Sequence, residues 1–258
     1  MELTEAGRAL NDRISGSLHH IGHAFYEIRA LQAETGGTVD FGMPPTTVQI
    51  LPGPLARRVS NSAPNISLRI VDAYTGHLLD WIKRGELDAA ILYGPTPSGL
   101  NATKLLEDEL MLVGPPGSPI EEIEGVDFEA LPDLPMILPS HEHGLRVAVE
   151  ATASRARVKL CVKFQADSFQ LMKELVQSGL GYTVLPCSAF EKEAAKGELT
   201  IAAIRNPPIT GQLFLVMKPA AESPRAVLQV ETFVRQEIAR LVEDGRWPVA
   251  RLFSVGET

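Results

Sequence analysis

An α/β fold of two lobes, preceded by a long helix, is predicted for this chain of 258 residues on three observations. From Thr38 to Glu243, apolar runs of strand length alternate with amphipathic stretches of helix length, the order expected of βα units with parallel strands. Two proline-bearing, turn-rich segments interrupt that alternation: Tyr93-Gly94-Pro95-Thr96-Pro97-Ser98-Gly99 and Arg205-Asn206-Pro207-Pro208-Ile209-Thr210. Both read as crossovers between lobes. The first segment of the chain, by contrast, repeats its apolar residues in sevens, a spacing that keeps one seam facing a partner helix.

That first helix is expected over about residues 4–33. Thr4 reads as its N-cap, and Glu5 in the first turn suits the positive end of the helix dipole. Leu10, Ile14, Leu18, Ile21, Phe25 and Ile28 carry the stripe. Gly16 and Gly22 weaken the helix, so its stability must come from packing, and Gly36-Gly37 ends it. The stripe reads either as a dimerisation seam or as an amphipathic helix folded back on its own domain.

The βα series follows. Thr38 to Gly42 is a strand, with a helix from about Thr46 to Ser60. Ser67 to Asp72 is the second strand, with a helix from Thr75 to Arg84. Leu87 to Leu92 is the third, apolar enough to be buried on both faces. Beyond the first crossover come strands at 109–114, 135–138, 158–164 and 182–185, with helices from about Leu145 and from Ser168 to Ser178. Beyond the second crossover, strand Gln212 to Met217 and a helix over about 223–243 close the fold.

Two crossovers around a middle block imply a discontinuous first lobe, 36–97 plus 208–243, and a second lobe, 98–207. Residues 1–35 form the helix, and 244–258 read as a loosely held tail with Trp247 on the surface. Two lobes joined by two strands form a hinge over a cleft. This is the type 2 periplasmic-binding-protein architecture, which closes on small ligands.

Composition narrows the function. At 45% hydrophobic and 22% charged, the chain is that of an ordinary soluble domain. No apolar run approaches the ~20 residues needed to cross a bilayer, and no export signal opens the sequence. A cytoplasmic location is therefore expected. Cys161 and Cys187 give no disulfide framework and read as buried thiols rather than a redox pair. The net charge of −8 repels a polyanion, so this stretch is not expected to bind duplex DNA itself. His141-Glu142-His143 and the pair His19 and His23 each lack a third convergent ligand, so no metal is expected. No Gly-x-Ser-x-Gly elbow and no glycine-rich phosphate loop is present, so neither an enzyme nor a cofactor is expected.

Candidate ligand residues lie where strands feed helices, since the free N–H groups there attract anions. Pro45, Thr46 and Thr47 form the first such turn, with Thr46 read as helix cap, ligand contact, or both. Thr75 holds the matching position after the second strand. Ser140 and His143 precede a second-lobe helix, and Arg146 in its first turn is placed to pair with a carboxylate. Ser168 and Phe169 open another helix, with Asp167 or Ser168 as its cap. Tyr93 is expected to line the hinge side of the cleft.

Several segments, in order along nearly the whole chain, resemble the LysR-type transcriptional regulators. They are Leu3-Thr4-Glu5-Ala6-Gly7-Arg8, the Phe41-Gly42 strand end, Gly85-Glu86-Leu87-Asp88-Ala89, Leu110-Met111-Leu112-Val113-Gly114 with Pro119, and Gly179-Leu180-Gly181-Tyr182-Thr183-Val184-Leu185-Pro186. The resemblance implies a homo-oligomer, dimer or tetramer, formed through the linker helix, and a small effector, anionic by the helix-terminus argument, bound in the cleft. It also implies DNA contact only through a winged helix-turn-helix preceding Leu3, which this sequence does not contain. The competing expectation is a soluble solute-binding protein serving a transporter.

Overall fold

The computed structural model describes residues 4–5, 36–94, 100–141, 143–217, 223–248 and 250–253. The expected dimerisation stripe, Leu10 to Ile28, lies outside the described residues. Eleven strands are described: β1 Gly37–Met43, β2 Ile66–Asp72, β3 Ala89–Tyr93, β4 Asn101–Gly114, β5 Gly125–Asp127, β6 Met136–Leu138, β7 Val162–Gln165, β8 Thr183–Pro186, β9 Thr200–Arg205, β10 Ile209–Met217 and β11 Ala250–Leu252. The helices are α1 Pro45–Val48, α2 Pro52–Ser62, α3 Thr75–Arg84, α4 Gly144–Ala156, α5 Phe169–Gln177, α6 Glu191–Ala195 and α7 Arg225–Glu243.

Nine strands join in one sheet, built on the order β2-β1-β3-β10-β4-β9-β5, with β8 and β11 also on β4. β2, β1 and β3 run parallel, while β10 is antiparallel to both β3 and β4. The sheet is thus mixed rather than all parallel. Alternation along β3 sends Ala89, Ile91 and Tyr93 to one core and Ala90 and Leu92 to the other. This burial on both faces is what its unbroken apolar run implied. Helix α3 covers one face through Leu78 and Ile82; α2 and α7 cover the other through Leu55, Val59, Val230 and Val234.

β4 is the spine that joins the two halves. Asn101 to Leu110 pair with β10, with a register shift at Leu105, and Met111 to Gly114 pair with β9, while β8 pairs along the opposite edge from Leu110 to Val113. β6 and β7 form a separate parallel pair.

The structure corrects the sequence reading in four places. The helix expected from Thr46 to Ser60 is two helices, because Pro52 lacks an N–H and its ring would collide with the carbonyl four residues back; Pro52 instead opens α2. Thr46 is not a cap: Pro44 holds that position and no side chain caps α1. The strand expected at 109–114 begins at Asn101. Finally, the stretch after Asp244 is held. β11 pairs with β4 at Leu106–Asp108, and Trp247 is only 1% exposed. Strands β5 and β9 were not anticipated at all.

Candidate functional site

A cavity of about 500 Å³ opens where β2 ends and α3 begins, facing the turn that leads into α5. Pro45, Gln49, Asp72, Ala73, Tyr74 and His77 line it from the β1–β2 side, and Asp167, Ser168, Phe169 and Gln170 from the other. Its size falls within the ~300–1,000 Å³ range of small-molecule sites. Two helix N-termini meet there. No side chain caps α3, and the Ser168 hydroxyl accepts only from the Leu171 N–H at 3.5 Å. The remaining first-turn N–H groups have no partner within their helices.

Against this wall lies His143, only 3% exposed. Its ring centroid is 4.6 Å from that of Tyr74 and 6.0 Å from that of Phe169. Nδ1 accepts the Leu145 N–H at 3.1 Å, and burial pushes the ring's pKa down to about 4, against the opposing pull of Asp167. The imidazole is therefore neutral with its proton on Nε2, and that buried N–H has no partner among the described residues. Asp167 stays ionised, held below the usual carboxylate range chiefly by the Ser140 N–H, which it accepts at 2.8 Å. Asp72 is shifted the other way by burial.

Of the residues expected from sequence, Pro45, Ser168 and Phe169 line this cavity, with His143 just behind. The others turn elsewhere. Thr46 and Thr47 are fully buried; the Thr47 hydroxyl donates to Pro44 O at 3.0 Å. Thr75 spends its hydroxyl on Tyr93, donating to its carbonyl at 3.0 Å and accepting from its N–H at 3.1 Å. The Tyr93 ring lies across β10 at Gly211, where a Cβ would stand 1.8 Å from its hydroxyl. Ser140 contributes its backbone N–H to Asp167. Arg146 is committed to Glu150 at 2.7 Å and to Pro139 O at 3.0 Å, and it borders a separate groove of about 350 Å³ beside α4. Gln49, Asp72, Tyr74, His77, Asp167 and Gln170 were not anticipated as lining. Tyr74, His77, Asp167 and Gln170 lie in or beside the strand-to-helix turns expected to face a ligand, and Asp72 ends the strand that leads into one of them.

Two further contacts join the halves near the cavity. The Ser188 hydroxyl donates to Thr46 O at 3.1 Å. Gly144, first residue of α4, lies so close to β3 that a Cβ would meet Tyr93 O at 2.0 Å.

The core around the middle of β4 is polar where it is deepest. Asp108 on β4 is fully buried, in register with Gly211 on one side and Ala250 on the other. The Trp247 indole N–H donates to its Oδ2 at 3.2 Å, while Oδ1 and the Tyr93 hydroxyl have no partner among the described residues. Burial pushes the Asp108 carboxyl up to about 7 from 3.8, only partly offset by the Trp247 bond.

These shifts have opposite consequences for stability. Asp108 holds its proton more tightly in the fold, so the stability it supplies at low pH is lost as pH rises from 3.8 toward about 7. His143 resists its proton in the fold, so its contribution is lost as pH falls from 6.5 toward about 4. The thermal midpoint of Asp108→Asn, relative to the parent, is expected to climb as pH rises from 3.8 to about 7, and that of His143→Gln to climb as pH falls from 6.5 to about 4. Differences that stay flat with pH would refute both assignments.

Among the described residues, no group of three or more His, Cys, Asp or Glu side chains converges as a metal site, and no helix is long and apolar enough to cross a membrane. Comparison with known proteins gives a consistent picture. The LysR substrate binding domain family matches residues 32–239. The HTH-type transcriptional regulator BbuR of Bordetella bronchiseptica is 25% identical over 247 residues, 95% of this chain and 76% of that protein. A probable hydrogen peroxide-inducible genes activator of Mycobacterium avium is 30% identical over 202 residues, 74% of this chain and 65% of that one. Among solved structures, a Corynebacterium glutamicum OxyR C206 mutant superposes with a TM-score of 0.74 at 21% identity, covering 95% of this chain and 78% of that one. The Synechocystis CcmR regulatory domain in complex with 2-PG gives 0.71 at 19% identity, covering 78% and 97%. The QuiR effector binding domain in complex with shikimate gives 0.72 at 16% identity, covering 80% and 99%.

Proposed function

The chain belongs to the LysR substrate binding domain family, and from that premise we propose that it is the effector-sensing region of a cytoplasmic LysR-type transcriptional regulator, not an enzyme. The observation that carries the reading is the cavity lined from both sides by strand-to-helix turns. A small molecule there touches both halves at once and binds unequally to arrangements that differ in their separation, the condition for regulation. Two structural relatives hold small effectors by their names, 2-PG and shikimate. That supports an effector here and favours a regulator over a transporter's binding protein.

Some relatives are named for hydrogen peroxide. Sensing peroxide through a thiol requires an accessible thiolate. Neither cysteine lines the cavity: Cys161, expected to be buried, is exposed but lies away from it, and burial pushes the Cys187 thiol up to about 12, reinforced by Asp108. Non-covalent binding fits this chain better. The 1–35 segment is read as the dimerising linker, with Leu10, Ile14, Leu18, Ile21, Phe25 and Ile28 as its seam, and DNA as a partner only through a helix-turn-helix module.

The test is thermal unfolding against a broad panel of small carboxylates, amino acids, sugars and amines. A ligand at a hundred times its Kd is expected to add about 2.7 kcal/mol of stability. A panel that leaves the midpoint unmoved would count against effector sensing. A strictly monomeric chain at every concentration would sink the linker assignment.

A further inference from the structure

Both edges of β4 change partner within a few residues. On one edge β11 pairs at Leu106, Glu107 and Asp108, and β8 takes over at Leu110, which leaves Glu109 between them without a partner strand among the described residues. On the other edge Leu110 is the last residue paired with β10 and Met111 the first paired with β9. β10 also pairs with β3 of the first half, whereas β8 and β9 come from the middle block. The passage of β4 from one half to the other is thus confined to Glu109, Leu110 and Met111. Closer to its start, β4 has a second place to bend. Opposite β10, Leu213 pairs with Leu106 and Phe214 with Lys104, so Leu105 is an extra residue on β4. Such a bulge interrupts the ladder and bends the strand.

The C-terminal segment covers this bulge. The Phe253 N–H donates to Leu105 O at 3.3 Å, and the Lys104 ammonium sits 3.6 Å from the centroid of the Phe253 ring. With the β11 pairs and the Trp247 bond to Asp108, every residue of β4 from Lys104 to Asp108 meets Trp247, β11 or Phe253. The other end of the segment is fixed to α7, since the Trp247 backbone N–H donates to Leu241 O at 3.0 Å and the indole lies in the main core. We propose that the C-terminal strand is a hinge splint: it stiffens β4 across its bulge, so that the two halves bend against each other only at Glu109–Met111. A strand paired on both edges resists bending more than one held on a single, interrupted edge. None of the splint residues lines the cavity, so the splint acts on how the halves are arranged rather than on a ligand. Affinity scales with the fraction of chains in the binding arrangement, so a splint that narrows the arrangements tunes the response to any effector.

Distances between the halves test this without any ligand. Spin labels are placed at Asp80→Cys on α3 and Glu174→Cys on α5, both exposed positions, with Cys161 and Cys187 replaced by serine. Pulsed electron–electron resonance then reads the distance distribution in the labelled chain, diluted with unlabelled chain so that only distances within one molecule count. Deleting residues 249–258, which keeps Trp247 and removes β11, is expected to broaden the distribution. Phe253→Pro, which removes the N–H that Leu105 accepts, is expected to broaden it less. Val230→Ala truncates a core side chain of α7 that is only 1% exposed; it is expected to lower the thermal midpoint without broadening the distribution. A deletion variant that folds, by circular dichroism, and keeps the parent's distribution overturns the splint. So does a Val230→Ala distribution as broad as that of the deletion, since general loosening then explains both. Where the deletion variant does not fold, Phe253→Pro takes its place in the comparison, and a distribution no broader than that of Val230→Ala overturns the splint in the same way.

Discussion

Trp247→Ala is expected to lower the unfolding stability by about 3–5 kcal/mol, the range for removing a large buried aromatic side chain. For a chain of this size that is a fall in Tm on the order of 10 °C. Three effects add. The indole is 1% exposed and belongs to the main core, so truncation leaves a cavity. Its Nε1–H is the donor that Asp108 Oδ2 accepts, so truncation also leaves a buried carboxyl with neither oxygen partnered. And Trp247 anchors the path from α7 into β11, whose pairing covers β4 at Leu106–Asp108. Trp247→Phe separates these effects by keeping most of the volume while losing the hydrogen bond. Its loss is expected to be smaller, and smaller again in an Asp108→Asn background, where a neutral amide rather than a carboxyl is left without its donor. Calorimetry that finds Trp247→Ala as stable as the parent would refute the place given to the C-terminal segment.

Gly144→Ala is the second large effect. Its Cβ would stand 2.0 Å from Tyr93 O and 3.2 Å from the Thr75 hydroxyl. That carbonyl cannot turn aside, because it belongs to β3 and accepts from Thr75. The start of α4 must therefore back away from β3, at a cost of about 1–3 kcal/mol for overpacking. His143 moves with it, so effector affinity is expected to fall at least tenfold. Gly53→Ala is the control: there a new Cβ meets only the flexible end of Arg57, at 3.6 Å, and stability is expected to hold or rise slightly. Equal behaviour of the two variants would mean that the close approach at Gly144 does not position the two sides of the cleft.

Much of the fold was legible in the sequence because it is set by local pattern. The run Ala89 to Leu92 had to be a doubly buried strand. Thr75 to Arg84 carried its own stop in Gly85, which takes the left-handed conformation and lets the helix end. The turns at 72–77 and 167–170, which line the cavity, were also legible, since they follow from where strands give way to helices. The family resemblance rested on ordered local segments, and the match over residues 32–239 agrees with it.

What the sequence left undecided is which way each side chain faces once the halves meet. Thr75, Tyr93 and Arg146 were reasonable ligand contacts as residue types, yet each found a partner elsewhere. Thr75 meets Tyr93, Tyr93 fills the space above Gly211, and Arg146 pairs with Glu150. Asp108 and Trp247 lie 139 positions apart, and no local rule brings them together. The long strand β4 explains both shortfalls. Its partners β8, β9, β10 and β11 all come from later in the chain, so its length and burial depend on pairings at large sequence separation. Local chemistry determined the elements, their order and the turns that face the cleft. Only the assembled sheet decided which side chains line the cavity and which are spent on partners elsewhere.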